Sequence, residues 1–219
     1  MCYIFQARKN LSLIIDDRQV EILSGCLLGD ACILKRGAIQ IEQGKKQRKY
    51  LLWKYSQLKP LISVKPIKLT RIRQNGKITH SYRIVKKQFF RMWREKIYRN
   101  SRKIVHNSLL NNFSSLSLAI WYMDDGCLRN NSQAVICTDS YSNKSLGKLR
   151  NFLKQKWDIE TRIKFKREKG TDKIYRRLTI GSYHLVKFFN LIRPSIIPSM
   201  KYKITDPLTT QSIKRRHRV

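Results

Sequence analysis

The sequence predicts an α+β protein built as a duplicated αββαββα unit, with its halves related by a pseudo-twofold axis and its strands forming two antiparallel sheets. Three observations carry this. Two almost wholly apolar segments, RQVEILSGCLLGDA at 18–31 and SSLSLAIWYMDDG at 114–126, each end in an Asp beside a Gly. Each is followed, in the same order, by short alternating stretches, an amphipathic segment, a basic hairpin and a Phe pair. Asp30 and Asp125 lie 95 positions apart (125 − 30), a spacing too long for a solenoid repeat and wrong for a propeller blade. The halves are expected at 1–112 and 113–219.

The first unit opens with a helix that Asp16 or Asp17 can cap, its Val20, Leu23 and Leu27 at helical spacing. A second helix is expected within 48–62, where Tyr55, Leu58 and Ile62 share a face. SVKPIKLTRIRQNGKITHSYRI, 63–84, reads as two basic strands about the Asn75-Gly76 turn, and Phe89-Phe90 mark an apolar helical stretch. In the second unit Ser114 or Ser115 can cap the apolar helix, and Leu146, Leu149, Leu153 and Trp157 give the amphipathic one. ETRIKFKREKGTDKIYRRLTI, 160–180, turns at Gly170, and Phe188-Phe189 close the copy. A helix apolar nearly all round must be buried on most sides. The two such helices are therefore expected to pack on each other, with Ser24, Gly25, Ser117 and Ala119 allowing a close approach.

The chain carries 47 Lys and Arg against 14 Asp and Glu, a formal net charge of +33 over 219 residues. Charge on this scale calls for a polyanionic partner. The basic residues run through the whole chain and alternate with Ile, Leu, Tyr and Phe, whereas membrane binding would concentrate them on one amphipathic helix. Nucleic acid is the expected partner. No apolar run approaches the roughly 20 residues of a membrane-spanning helix, and the first residues lack a signal-peptide pattern, so the protein is expected to act where it is made and not to be secreted. Five cysteines, an odd number with no C-x-x-C pair, indicate neither a disulfide framework nor a zinc site. His80, His106, His184 and His217 are scattered and read as ordinary surface or core residues.

The acids at the ends of the apolar helices are the informative feature. A helix C-terminus carries partial negative charge and unpaired carbonyl oxygens, so Asp30, Asp124 and Asp125 sit where the dipole disfavours them. If the two ends lie side by side, one carboxylate from each, with nearby carbonyls, makes an all-oxygen cluster suited to a hard divalent cation such as Mg²⁺. Such an ion beside basic strands matches metal-assisted phosphodiester hydrolysis.

LSGCLLGDA, 23–31, and LAIWYMDDG, 118–126, resemble the two motif copies of the single-chain LAGLIDADG homing endonucleases, and IRPSIIPSMKYKI, 192–204, resembles the closing segment of that family. The resemblance covers almost the whole chain. It implies motif helices at a central interface and two sheets forming a saddle in the DNA major groove. It makes Asp30 and Asp125 the metal-binding catalytic pair, with Gly29 and Asp124, one position earlier, adding mainly backbone carbonyls. It implies a basic residue near each centre: Lys203 in the second half and, reading without gaps, Arg102 in the first, with Lys103 as its rival and Val105 where the family often has Pro. A polar strand residue is implied at Gln43, with Glu42 as the alternative. Its second-half equivalent falls in CTDSYS, where Asp139 replaces the Gln often seen. Motif position six holds Leu28 and Met123 where many members have Asp.

The resemblance further implies an intron-encoded, Mg²⁺-dependent monomer that cuts double-stranded DNA at a long asymmetric site and leaves short 3′ overhangs. Mn²⁺ is expected to substitute, and Ca²⁺ to bind without cleavage. Alternation on the strands makes Lys35, Gln40, Lys68, Arg71, Arg73 and Arg83 in the first half candidates for the DNA side, with Arg129, Arg162, Lys164, Lys166, Arg176 and Arg177 in the second. KRRHR, 214–218, reads as a tail adding phosphate contacts. Two other functions fit the same fold: an RNA-splicing maturase acting on intron RNA, and a noncatalytic DNA-binding regulator, whose signature would be loss of an acid. Richness in Lys, Ile, Asn and Ser points to an A·T-biased genome such as that of a chloroplast or mitochondrion, with the cytoplasm as the alternative location.

Overall fold

The computed structural model describes residues 2–8, 11–62, 64–86, 88–168 and 170–204. The basic tail at 214–218 lies outside them. An N-terminal hairpin, β1 (Cys2–Arg8) with β2 (Leu11–Asp16), precedes the first motif helix α1 (Asp17–Leu28). The short strand β3 (Cys32–Ile33) and β4 (Ile39–Gly44) lead to α2 (Arg48–Gln57), then to the hairpin of β5 (Ile67–Ile72) and β6 (Ile78–Val85). A short α3 (Arg91–Ile97), a two-residue hairpin of β7 (Tyr98–Arg99) and β8 (Arg102–Lys103), and α4 (Asn107–Leu110) complete the first half. The second half runs α5 (Ser115–Asp125), β9 (Gly126–Arg129), β10 (Gln133–Cys137), α6 (Asn143–Trp157), β11 (Arg162–Arg167), β12 (Ile174–Ile180) and α7 (Ser182–Ile192), ending in two 3-10 turns.

Each half contributes one four-stranded antiparallel sheet, ordered β3-β4-β6-β5 and β9-β10-β12-β11. The duplication is therefore physical. Two features depart from the sequence expectation. The β1–β2 hairpin has no counterpart among the described residues of the second half. The Phe89-Phe90 stretch is not itself helical: both rings are buried, but Phe90 is the N-cap of α3, whereas Phe188 and Phe189 lie inside the longer α7.

Local chemistry sets the motif helices. Asp16 caps α1 by accepting from the Gln19 amide at 2.7 Å while Gln19 Oε1 accepts from the Asp16 amide, and Ser114 and Ser117 form the same reciprocal box on α5. Both helices are buried along almost their whole length. They pack so closely that a Cβ at Gly25 would stand 2.5 Å from the Ser117 carbonyl oxygen. Ser117 Oγ in turn donates across the interface to the Glu21 carbonyl at 2.7 Å. Of the four small residues expected at this seam, Gly25 and Ser117 make the close approach.

Burial alternates along β4, and the strand registers carry the same two-residue phase through both sheets, although Val135 and Thr179 are also buried on the second. Ile39, Ile41, Ile84, Ala134, Ile136, Leu178 and Ile180 turn to the core, so the intervening residues face away from it. One core residue is anomalous. Lys86, just past the end of β6, is enclosed with no hydrogen-bond partner for its Nζ among the described residues, and burial lowers its amine from 10.5 to about 7. The unfolded chain therefore binds this proton more tightly than the folded one. The resulting penalty is full below pH 7 and fades as pH rises toward 10.5. Lys86→Met is expected to stabilise the protein by on the order of 3 kcal/mol at pH 6 and by clearly less at pH 10. Denaturant midpoints at the two pH values measure it.

Candidate active site

The C-terminal ends of α1 and α5 meet beneath the two sheets, and the acids gather there. Asp124 is wholly enclosed. Its Oδ1 accepts from Lys54 Nζ at 2.5 Å and from Gln43 Nε2 at 3.2 Å, while its Oδ2 accepts from the Asp30 backbone N–H at 3.3 Å. Gly29 is glycine for a reason visible here: a Cβ at that position would lie 2.5 Å from Asp124 Oδ2. One carboxylate fits between the helix ends, and it comes from the second copy. Burial is the largest influence on the Lys54 ammonium and pulls it down, but the Asp124 charge and hydrogen bond, with Cys26 and Asp30, together leave it above the ordinary lysine value. Burial likewise pushes the Asp124 carboxyl up, opposed by Lys54, and the 2.5 Å contact is an ion pair.

Asp30 is solvent-exposed and Asp125 partly buried. Gln43 Nε2 donates to Asp30 Oδ2 at 2.8 Å, fixing that carboxylate from β4. Glu42, the alternative to Gln43, points from the other face of the strand and meets Arg71, Ser81 and Arg83 instead. Burial, then the charges of Asp30 and Asp124, push the Asp125 carboxyl up to about 7, opposed by Lys103 and Lys203. Lys103 Nζ donates to the Gly29 carbonyl at 2.8 Å, and Lys203 Nζ donates to the Met123 and Asp124 carbonyls at 2.5 and 3.2 Å. Burial lowers both amines.

These contacts correct two sequence expectations. The amine turned to the first motif end is that of Lys103, because Arg102 is exposed on the far side of the two-residue β8. In the second half the position equivalent to Gln43 by strand register is Thr138, since Ile136 aligns with Ile41. Its hydroxyl donates to the Arg176 carbonyl at 2.9 Å, and Asp139 pairs with Arg177 at 3.3 Å. The Asp124 side chain is spent on interior contacts, and the Gly29 and Asp124 carbonyls already accept from lysines. The two motif ends are therefore unequal: the Asp30 carboxylate is held by a strand amide, and Asp125 is surrounded by charges.

Lys54 was not anticipated. Its signal lies in the sequence all the same, since Tyr50, Lys54 and Leu58 are spaced by four, the first two on the buried face of α2 and Leu58, also buried, at its C-cap. A lysine on an apolar stripe needs a buried anion.

Among the described residues no group of three or more His, Cys, Asp and Glu is placed to enclose a metal ion. The donor chemistry fits a hard cation of another kind. Mg²⁺ binds through one or two carboxylates, retains water and shares its remaining positions with substrate phosphate. Asp30 and Asp125 supply two such carboxylates, close enough that the Asp30 charge raises the proton affinity of Asp125.

The DNA-side candidates divide by strand register. Gln40 and Arg83 face away from the core on the first sheet, with Arg71 on the same side. Arg129, Arg162, Lys164, Lys166 and Arg177 do so on the second. Lys35 and Arg73 sit at exposed hairpin turns. Lys68 and Arg176 are corrections. Lys68 stands opposite Tyr82, in register with the core-facing Gln43, and Arg176 stands opposite Phe165 with its Nε on Asn143 Oδ1 at 2.9 Å. The sequence pattern placed them one residue out of phase, and a shift of one residue reverses the face.

A duplicated α+β chain with one acid at each of two abutting helix ends, and basic sheets on either side, has the architecture of a two-motif homing-endonuclease fold. The chain belongs to the LAGLIDADG DNA endonuclease family, whose profile matches residues 20–188. The structure of the homing endonuclease I-WcaI bound to its DNA recognition sequence is similar, with a TM-score of 0.75, 27% identity and 87% of each chain covered. Protein RecA of Mycobacterium gastri is 26% identical over 211 residues, 87% of this chain and 48% of that protein, so the chain spans about half of this relative. The cytochrome b mRNA maturase bI2 of Debaryomyces hansenii is 28% identical over 205 residues, 89% of this chain and 76% of that protein. No helix among the described residues is long and apolar enough to cross a membrane.

Proposed function

We propose that the protein is a site-specific endonuclease that cuts double-stranded DNA as a monomer at a long asymmetric site, leaving short 3′ overhangs. The observation that carries this reading is the mirrored arrangement at the motif ends. Lys103 meets the carbonyl one position before Asp30, and Lys203 meets the carbonyl one position before Asp125. Two related centres suit the two strands of a duplex. The outward basic faces of both sheets support a duplex partner, Lys and Arg there serving phosphate contact and base reading. The halves are taken to divide between residues 112 and 113.

Asp30 and Asp125 would hold the divalent cation, Mg²⁺ by preference, with Mn²⁺ substituting and Ca²⁺ bound without cleavage. When bound, it would polarise the phosphodiester, lower the pKa of a water and stabilise charge on the leaving 3′ oxygen. The chain's own groups orient the site. Gln43 Nε2 fixes the Asp30 carboxylate, and Asp124, neutralised by Lys54, fixes the Asp30 backbone. Lys103 and Lys203 add positive charge that offsets the repulsion between these acids and a phosphodiester, and their lowered proton affinity suits Nζ to exchanging protons with nearby water.

The test is a cleavage selection on a randomised duplex library with Mg²⁺, set against the same library with a chelator. Recovery of one long asymmetric site only in the presence of the ion is expected. Likeness to the bI2 maturase favours a second reading, a splicing maturase acting on intron RNA. No selected cut, together with tight binding to structured intron RNA in a parallel assay, would replace the first reading by this one. A noncatalytic regulator has less support, because both acids are present. Composition keeps an organelle genome as the expected source.

A further inference from the structure

Glu42 is the one acidic residue on the four strands of the first sheet. It stands on the face away from the core, directly opposite Arg83. Its carboxylate is crowded with donors. Oε2 accepts from Arg83 Nε at 3.1 Å and Nη2 at 2.8 Å, and from Arg71 Nη2 at 3.0 Å. Oε1 accepts from Ser81 Oγ at 2.6 Å and from Arg71 Nη1. Arg71 Nη1 also reaches Ser81 Oγ at 3.0 Å, closing the network. Hydrogen bonds from Arg71 lead the causes that hold this carboxyl down at about 2, so it is ionised at any working pH.

A carboxylate offers about four acceptor sites, and five donor contacts saturate it. Glu42 therefore has nothing left for a base. Its effect is on the two arginines. An unrestrained surface Arg is a long, mobile charge that follows phosphates and carries no sequence information. Here one anion shared by two guanidinium groups fixes both planes and cancels one of their two charges. Donors that the carboxylate does not occupy, Nη1 of Arg83 and Nε of Arg71, stay available on the outward face.

The second half lacks this device. The residue opposite Arg177 on its neighbouring strand is Cys137, and the carboxylate that meets Arg177 comes from Asp139, in the loop after the strand, at 3.3 Å. The two sheets should therefore read their half-sites with different stringency.

We propose that Glu42 is a specificity-determining positioning residue, which turns Arg71 and Arg83 from phosphate-seeking charges into a fixed pair of base readers over one half of the DNA site. This rests on the DNA endonuclease reading.

The test is a binding selection on randomised duplexes with the native protein, Glu42→Gln and Glu42→Asp, joined to affinity for one unselected duplex across a salt series. With Glu42→Gln, discrimination is expected to fall by roughly tenfold or more per base at two or three adjacent positions in one half-site. The other half-site keeps its preference. Affinity for the unselected duplex rises, and its salt dependence steepens by about 0.9 in log–log slope for each phosphate the freed arginines engage. Glu42→Asp keeps the charge but is one methylene short of both arginines, so it loses the same discrimination with little gain in unselected affinity. Unchanged base preference in Glu42→Gln overturns the proposal, as does full retention in Glu42→Asp, or loss across both halves together with a lower thermal midpoint. A native protein that selects no sequence at all would overturn the endonuclease reading beneath it.

Discussion

Lys54→Met is expected to destabilise the protein by roughly 3–5 kcal/mol, measured as a shift in the denaturant midpoint at constant slope. The substitution keeps most of the apolar stem and removes only the ammonium. What remains is the Asp124 carboxylate, fully enclosed between two helix ends whose dipoles are already negative there. Its other contacts, the Gln43 amide and the Asp30 backbone N–H, do not neutralise it. Asp124→Asn alone should be harmful for the reciprocal reason, since it leaves Lys54 buried as an unpaired cation. Lys54→Met with Asp124→Leu removes both charges and should recover most of the loss, giving a coupling of several kcal/mol in the double-mutant cycle. Recovered stability should not bring recovered cleavage, because the double variant no longer holds the Asp30 backbone or the Gln43 amide. If single and double variants lose stability equally, the pair is not the neutralising contact its geometry indicates.

Much of this architecture was legible in the chain because periodicity and repetition report backbone geometry. Val20, Leu23 and Leu27, and the two Ser and Asp caps, fix the motif helices to within a residue or two. The hairpin turns followed from Asn75-Gly76 and Gly170, where both glycines adopt positive φ, +74° and +77°. Pairwise chemistry across the interface was less legible. Nothing local to Asp124 specifies that its partner is Lys54, 70 residues away, and the match appears only when α2 folds against the end of α5. The choice between Arg102 and Lys103 likewise turns on strand phase, which a two-residue strand does not announce. Lys68 and Arg176 were misplaced for the same reason: Lys68 lies on the edge strand β5, and Arg176 on the part of β12 opposite the exposed Phe165, where the core-side face is wet enough to carry a long cation.

Asp125→Asn is expected to lower the cleavage rate by roughly a thousandfold or more, equivalent to about 4 kcal/mol of barrier, while leaving DNA affinity equal or slightly tighter. The two effects have one cause. Asp125 lies beside Asp30 and Asp124, and its proton affinity is raised by burial and by both of those charges. That is a poor site for stability and a good one for a divalent cation. Asn keeps the shape but removes both the ligand charge and the repulsion toward an incoming phosphate. Asp30→Asn should match it in direction, although Gln43 Nε2 then faces an amide that can turn its oxygen to accept, so its local geometry is better kept. A measurement without DNA separates metal binding from folding. Mg²⁺ should raise the thermal midpoint of the native protein, and each Asn variant should start from a higher metal-free midpoint and gain less from the ion. Equal gains in native and variant proteins would mean that the ion binds elsewhere. Cleavage at the native rate by either variant would mean that the acids at the motif ends serve only to hold the halves together.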